Sequence, residues 1–456
     1  MLRLAVAQIR TRPTAFVAVA ATALLAVTTI TLFSSLLAAD IATPAHLKAG
    51  AGTDEAQLGT IAGVFGEGAM LVALLVMLNC LGFAVRQQLP DLALLRTVAA
   101  TPRQVHRLVR WQALVVVAAV TPPGWLAGTV GARWFLDALR QHGYAAPGIE
   151  IPANPLPHLV ALAATAGIAV VAGALGVHRV NRLTPAAALG DTATERRRLG
   201  WLRTVLGVLA LADAGALLGV NVAAGGTDAV DGAFLALLVL MAALGLLGPL
   251  AAAVAARLLG VVPRRLAPRI GWLADANVRG HSRRLASAVI PVALLVGLAC
   301  NFLFVGPTME DASTPNPSQE LTGFSDPDEN WLRLVELAMF VSLAAVAVVN
   351  TLVALTASRR RELRLLELLG ATRDELWRML VAETALVVLV GLMLGTAVGA
   401  VTLATFSLGA TGSPLPSVPM ASYAAIVAAT VVLAAPSLLL TGRRVLATLE
   451  GDRAPA

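Results

Sequence analysis

The sequence predicts an all-α integral membrane protein of about ten transmembrane helices, arranged as four, two and four. Three observations carry that prediction. The 456 residues are 57% hydrophobic and 13% charged, where a soluble domain carries about 25% charged residues. The apolar residues gather into runs near the ~20 residues that a helix needs to cross a bilayer. The first four runs then recur, residue against residue, as the last four.

The runs cover 14–39, 62–85, 112–136, 158–177, 203–223, 232–257, 285–306, 332–356, 383–408 and 420–441. The first has a basic start and a small-residue end at Ala38-Ala39. It is longer than the 7–15 residues of a signal-peptide core, so a retained helix is expected. Asp213 interrupts the fifth, and Gly225-Gly226 mark a very short turn into the sixth. Lys48 is the only lysine, so arginine decides orientation. Arginines crowd every second connection: before the first run, between the second and third, after the fourth, between the sixth and seventh, and after the eighth and tenth. The alternate connections carry Lys48, Arg140 and acids such as Asp54, Glu55, Glu310 and Asp311. Basic connections stay in the cytoplasm. Both termini are therefore expected there, and the protein in the plasma (inner) membrane.

The net charge of +7 could suggest nucleic acid. Its arginines cluster at the ends of spans instead, so membrane lipid is the expected partner and nucleic acid is not. Cys80 and Cys300 lie inside apolar runs with no ligand spacing around them, which predicts neither a metal site nor a structural disulfide.

The repeat runs at a shift of 271. Asn79 meets Asn350, Leu92 and Leu95 meet Leu363 and Leu366, Thr101 meets Thr372, and Gly124 and Gly128 meet Gly395 and Gly399. Glycines four apart let membrane helices approach closely. At a shift of 269, "LAVAQIR" (Leu4–Arg10) meets "LADANVR" (Leu273–Arg279). Four spans and two spans are even numbers, so both copies enter from the cytoplasm and form parallel repeats. The expected division is a first four-span repeat over 1–190, a two-span linker over 191–262 and a second repeat over 263–456.

Each copy places a charged, amphipathic stretch between its second and third spans. In "LRLLELLGATRDELWRML" (Leu363–Leu380), leucines 363, 366 and 369, and more loosely 365 and 368, fall at helical spacing. Arg361, Glu362, Arg364 and Glu367 occupy the polar side. Gly370 stops this helix, because glycine accepts the left-handed conformation past a helix end. Thr372 and Glu375 then form the T-x-x-E capping box of a new helix. In the first copy Thr101 is the expected cap, Pro102 suits the first helical position, and Gln104 closes the box. Ala99 replaces the stopping glycine. A short mixed-charge helix on a braced elbow suits a protein groove.

These residues resemble the FtsX-like (MacB-type) permease family of ABC transporters. The segment Glu362–Glu383 looks much like that family's signature, and Leu273–Arg284 and His178–Asp191 resemble its edges. The resemblance implies the family's ten-span form, with two FtsX-like repeats in one chain and a cytoplasmic coupling helix in each. It implies that Leu92, Leu95, Arg96 and Thr101, and Glu362, Leu363, Leu366, Glu367, Gly370 and Thr372, belong to the helices that dock on a separate ATP-binding subunit. The first copy departs from the family at Ala93 and at Val98-Ala99.

The implied function is the permease subunit of an ABC transporter, exporting or extracting an amphipathic or hydrophobic substrate. The alternatives are a secondary transporter, or a non-transporting signalling subunit driven by an ABC ATPase. No enzyme activity is expected of this chain: a phosphate-binding loop needs G-x-x-x-x-G-K-[ST], and Lys48 is followed by alanine. ATP is expected to act through the partner, a dimer matching the two repeats, and no catalytic or cofactor-binding residue is assigned. The outside stretches are short, so an accessory external subunit would supply any large external domain. Three further expectations concern polar groups in spans. An acid at the bilayer centre costs about 2.5–3.5 kcal/mol on insertion scales. Glu67 is expected near the outer interface, whereas Asp213 is more central. Asn79 and Asn350 are expected to hydrogen-bond between helices, and Glu383, which matches Gln112 of the first copy, at the elbow.

Overall fold

The computed structural model describes residues 2–11, 13–43, 57–88, 95, 101–146, 148–180, 201–224, 228–259, 282–313, 327–357 and 360–451. Among these residues the regular structure is helical. The chain divides into two compact units, Met1–Thr194 and Glu195–Ala456.

The first unit opens with a short amphipathic helix, α1 (Leu2–Thr11), followed by α2 (Pro13–Ala42), α3 (Gln57–Gln87), α4 (Pro102–Gln141) and α5 (Leu156–Val180). Helix α2 sits at the centre, in contact with α3, α4 and α5, while α3 and α4 each pack on α5 and α1 lies on α4. Phe33 of α2 meets Phe65 of α3 and Phe135 of α4 edge-on, at 5.7 and 6.0 Å.

The second unit holds α6 (Trp201–Ala224), α7 (Asp228–Leu259), α8 (Ser282–Ser313), α9 (Pro327–Ala357), the short α10 (Arg360–Leu368), α11 (Arg373–Thr411) and α12 (Met420–Gly451). Helices α8, α9, α11 and α12 make the same five pairings as α2, α3, α4 and α5. Helix α7 packs on α8 and α11, and α6 on α7 and α11. Phe234 of α7 stacks on Phe340 of α9 at 5.2 Å, with Phe302 of α8 alongside both.

Among the described residues nine helices are long and apolar enough to cross a membrane. They correspond to every expected span but the sixth. There the described apolar stretch of α7, Gly232–Gly248, is shorter than a full span. The expected linker turn at Gly225-Gly226, the second lead-in Leu273–Arg279, and Lys48 lie outside the described residues.

The glycine seams expected from the repeat are present in both units. A Cβ on Gly124 would lie 2.7 Å from Val27 Cγ1, and one on Gly128 would lie 2.6 Å from Thr31 Cβ. In the second unit a Cβ on Gly395 would lie 2.6 Å from the Ala293 carbonyl oxygen and 2.8 Å from Val296 Cβ, and one on Gly399 would lie 3.0 Å from Cys300 Cβ. Val27 and Thr31 match Val296 and Cys300 at the shift of 269 seen in the lead-ins. The helices that follow match at 271, so a two-residue difference falls between the first and second helices of each repeat.

Candidate functional site

Helices α4 and α11 have 40 and 39 residues, about 60 Å each at 1.5 Å per residue. A hydrocarbon core is about 30 Å thick. Each helix is therefore long enough to extend well beyond the bilayer, and the first turns, preceded by the capped threonines, are the elbows.

The second elbow is described almost completely. Helix α10 ends in two crossed hydrogen bonds: the Gly370 N–H donates to the Glu367 carbonyl and the Ala371 N–H to the Leu366 carbonyl, each at 3.0 Å. This is the Schellman closure, and it requires a left-handed residue between the two. Gly370 supplies it with φ of 96°. Thr372 restarts the chain as N-cap. Its backbone N–H donates to Glu375 Oε2 at 2.9 Å, and the Glu375 N–H donates to Thr372 Oγ1 at 3.4 Å. These bonds hold the exposed Glu375 carboxyl below the usual carboxylate range, with Arg378 adding a smaller pull. Arg378 also pairs with Asp374 one turn away at 2.6 Å.

The leucines of α10 divide between two faces. Leu363 is fully buried, and Leu366 is partly buried; both pack on Leu376, Met379 and Leu380 of α11. Leu365, Leu368 and Leu369 are 61%, 76% and 84% exposed. Periodicity alone grouped Leu369 with Leu363 and Leu366, but the helix ends at Leu368 and the turn carries Leu369 to the outside. The inner pair fixes the helix to α11, and the outer three form an apolar ridge that no described residue covers.

The first elbow repeats the cap. The Thr101 N–H donates to Gln104 Oε1 at 2.8 Å, the Gln104 N–H donates to Thr101 Oγ1 at 3.4 Å, and Pro102 occupies the first turn. Leu95 packs on Val105, Leu108 and Val109, the positions that match Leu376, Met379 and Leu380. Ala5 of α1 and Val85 of α3 complete that cluster. Leu92 and Arg96 lie outside the described residues, as does Ala99, and so does the side chain of Glu362.

Beside this cluster lies a chain of amides. Gln112 Nε2 donates to Gln8 Oε1 of α1 at 2.6 Å and to Gln88 Oε1, at the end of α3, at 3.0 Å. Gln88 and Gln112 are buried. Gln112 is the first-copy match of Glu383, the residue expected to bond at the elbow, and Glu383 is itself engaged in a polar interaction. The Gln112 partners Gln8 and Gln88 were not singled out beforehand, although Gln8 matches an amide, Asn277, in the second lead-in.

The FtsX-like permease C-terminal family matches two stretches of the sequence, residues 63–185 and 334–448, which together exceed half the chain. The chain belongs to the FtsX-like permease family. Each matched stretch takes in the second, third and fourth helices of a repeat and the elbow between them. A permease domain of this kind in a multi-span membrane protein makes the permease a membrane component of an ABC transporter, in a family whose ATPase ordinarily resides in a partner subunit. A search of curated proteins returned no match to the permease.

Of the other polar groups singled out, Asn79 and Asn350 are both half-buried and engaged in polar interactions. Glu67 is exposed on α3, about 28 Å along the helix from the basic end at Arg86, which suits the outer interface. Asp213 is exposed as well, near the middle of the candidate span Thr204–Ala223. Among the described residues no group of His, Cys, Asp and Glu is arranged to hold a metal ion.

Proposed function

We propose that the permease couples ATP hydrolysis on a separate ATP-binding dimer to the export or extraction of an amphipathic or hydrophobic substrate, in the plasma membrane. The exposed ridge of Leu365, Leu368 and Leu369 carries this reading. It stands on a helix whose opposite face is fixed to α11 through Leu363 and Leu366. Three large leucines facing water at the mouth of a membrane helix suit an apolar groove on a partner. A push on that ridge reaches α11 through the buried pair and the capping box. Residues 92–101 have the corresponding role in the first repeat, with Leu94, Thr97 and Val98 at the positions matching the ridge.

The test is whether the permease co-purifies with an ABC ATP-binding subunit. Leu368→Glu with Leu369→Glu is expected to release the ATPase while leaving the membrane part folded. Leu363→Ala is expected to loosen the elbow instead, weakening stimulation of ATP hydrolysis more than assembly. If the double glutamate variant keeps its ATPase and its substrate-stimulated hydrolysis, α10 is not the docking helix. ATPase binding without substrate movement in vesicles would support the signalling alternative.

A further inference from the structure

Helix α6 has two unlike faces. Ala214, Leu218 and Asn221 are buried against its neighbours, and close approach at Gly232 of α7 and Gly409 of α11 sets Asn221 tightly between them. The opposite face is uncovered: Ala212, Asp213, Gly215, Ala216, Gly219 and Val220 are all exposed. At Gly215 and Gly219 an added Cβ would meet nothing within 4 Å. No described residue forms a hydrogen bond or ion pair with Asp213.

Depth makes Asp213 different from Glu67. It lies about 15 Å along the helix from Arg203 at the basic end and about 16 Å from Ala224 at the other end. An aspartate side chain reaches only a few ångströms, about 3 Å beyond its Cα, so it cannot snorkel to either surface. A carboxylate in hydrocarbon is costly and ordinarily faces a partner or an aqueous cavity. Lipid therefore does not satisfy this face.

We propose that the Asp213 face of α6 is the docking surface for a transmembrane helix of another protein that carries an arginine or lysine at mid-depth. Charge complementarity selects that partner: the carboxylate needs a cationic donor where water is absent. A second copy of the permease on this same face would bring one Asp213 against another, which like charge disfavours. Ala216 and Val220, three and seven residues on, share the side of the helix that carries Asp213, and the small Ala216 leaves the carboxylate open to a closely packed partner helix. This surface is separate from the elbows, so its test does not bear on ATPase docking.

The experiment uses full-length permease in lipid nanodiscs, labelled with a donor fluorophore. The probes are acceptor-labelled leucine-based transmembrane peptides with a single central arginine or with leucine at that place. The arginine peptide is expected to associate about tenfold more tightly than the leucine peptide. Asp213→Leu, which suits a lipid-facing position and should leave elution and thermal stability unchanged, is expected to erase that difference. Ala216→Leu keeps the carboxylate but crowds the position one turn beyond it, and is expected to weaken the arginine peptide about tenfold. Equal association of the two peptides with the unaltered permease overturns the proposal. So does self-association of donor- and acceptor-labelled permease that disappears on Asp213→Leu, since the occupant is then a second copy.

Discussion

The second elbow depends on two residues with different kinds of constraint. Gly370 has a left-handed backbone with open space where a Cβ would go, so Gly370→Ala introduces torsional strain rather than a clash. A cost of about 1–2 kcal/mol is expected, read as roughly five- to thirtyfold faster amide exchange at residues 370 and 371. Thr372→Ala removes the acceptor for the Glu375 N–H, and exchange there is expected to rise about fivefold. The carboxyl of Glu375 is held low, so its contribution is fully present above the ordinary carboxylate range. It is lost as pH falls through the lowered value. Protection at the Thr372 amide, corrected for intrinsic exchange, should therefore weaken on acidification, and Glu375→Gln should remove that dependence. These features were legible in the sequence because caps and glycine stops are local: the T-x-x-E and T-x-x-Q spacings contain the whole motif. Gln8, Gln88 and Gln112 were harder, since three amides from three helices meet only after the helices have packed.

Among the elements, the two glycine seams differ at the matching positions Gly124 and Gly395. A Cβ on Gly395 meets a backbone carbonyl, which cannot rotate away, whereas one on Gly124 meets the Val27 side chain. Gly395→Ala is expected to cost about 1–3 kcal/mol by overpacking, seen as a lowered melting temperature in detergent. Gly63→Ala, with nothing within 4 Å, should leave melting unchanged and serves as the control. Helix pairing was readable from the glycine spacing and its recurrence at a fixed shift. The division of α10 into buried and exposed leucines was not, because five leucines in seven positions satisfy several helical faces at once. Only the bulk of Leu376, Met379 and Leu380 shows which face turns inward.

At the scale of the whole molecule, the repeat is kept in packing but not in chemistry. Pro122-Pro123 remove ladder hydrogen bonds within α4, where α11 has Met393-Leu394. The amide chain of the first elbow has Gln112 where the second has Glu383. The outer ridge is Leu, Leu, Leu in one copy, and the matching positions are Leu, Thr, Val in the other. Unequal dependence on the two elbows follows. Leu368→Glu should reduce ATPase co-purification more than Thr97→Glu does; equal losses would show that the two repeats share the load evenly. Nine of the ten expected spans, in the expected order, are found among the described residues. The sequence did not show that α6 and α7, expected as a linker, pack on α8 and α11, since lipid-facing and protein-facing residues are equally apolar.

The tight contact at Gly395 also sets a pivot. Helix α11 runs about 33 Å from Arg373 to that glycine and about 24 Å beyond it to Thr411. A rod pinned part-way along cannot translate freely; displaced at one end, it swings the other end the opposite way, with about seven-tenths of the travel. A displacement imposed beside Thr372 would emerge near Gly412 reversed in direction and reduced in travel. Paired spin labels on α8 and α11, one pair on each side of the seam, would report this as one distance lengthening while the other shortens.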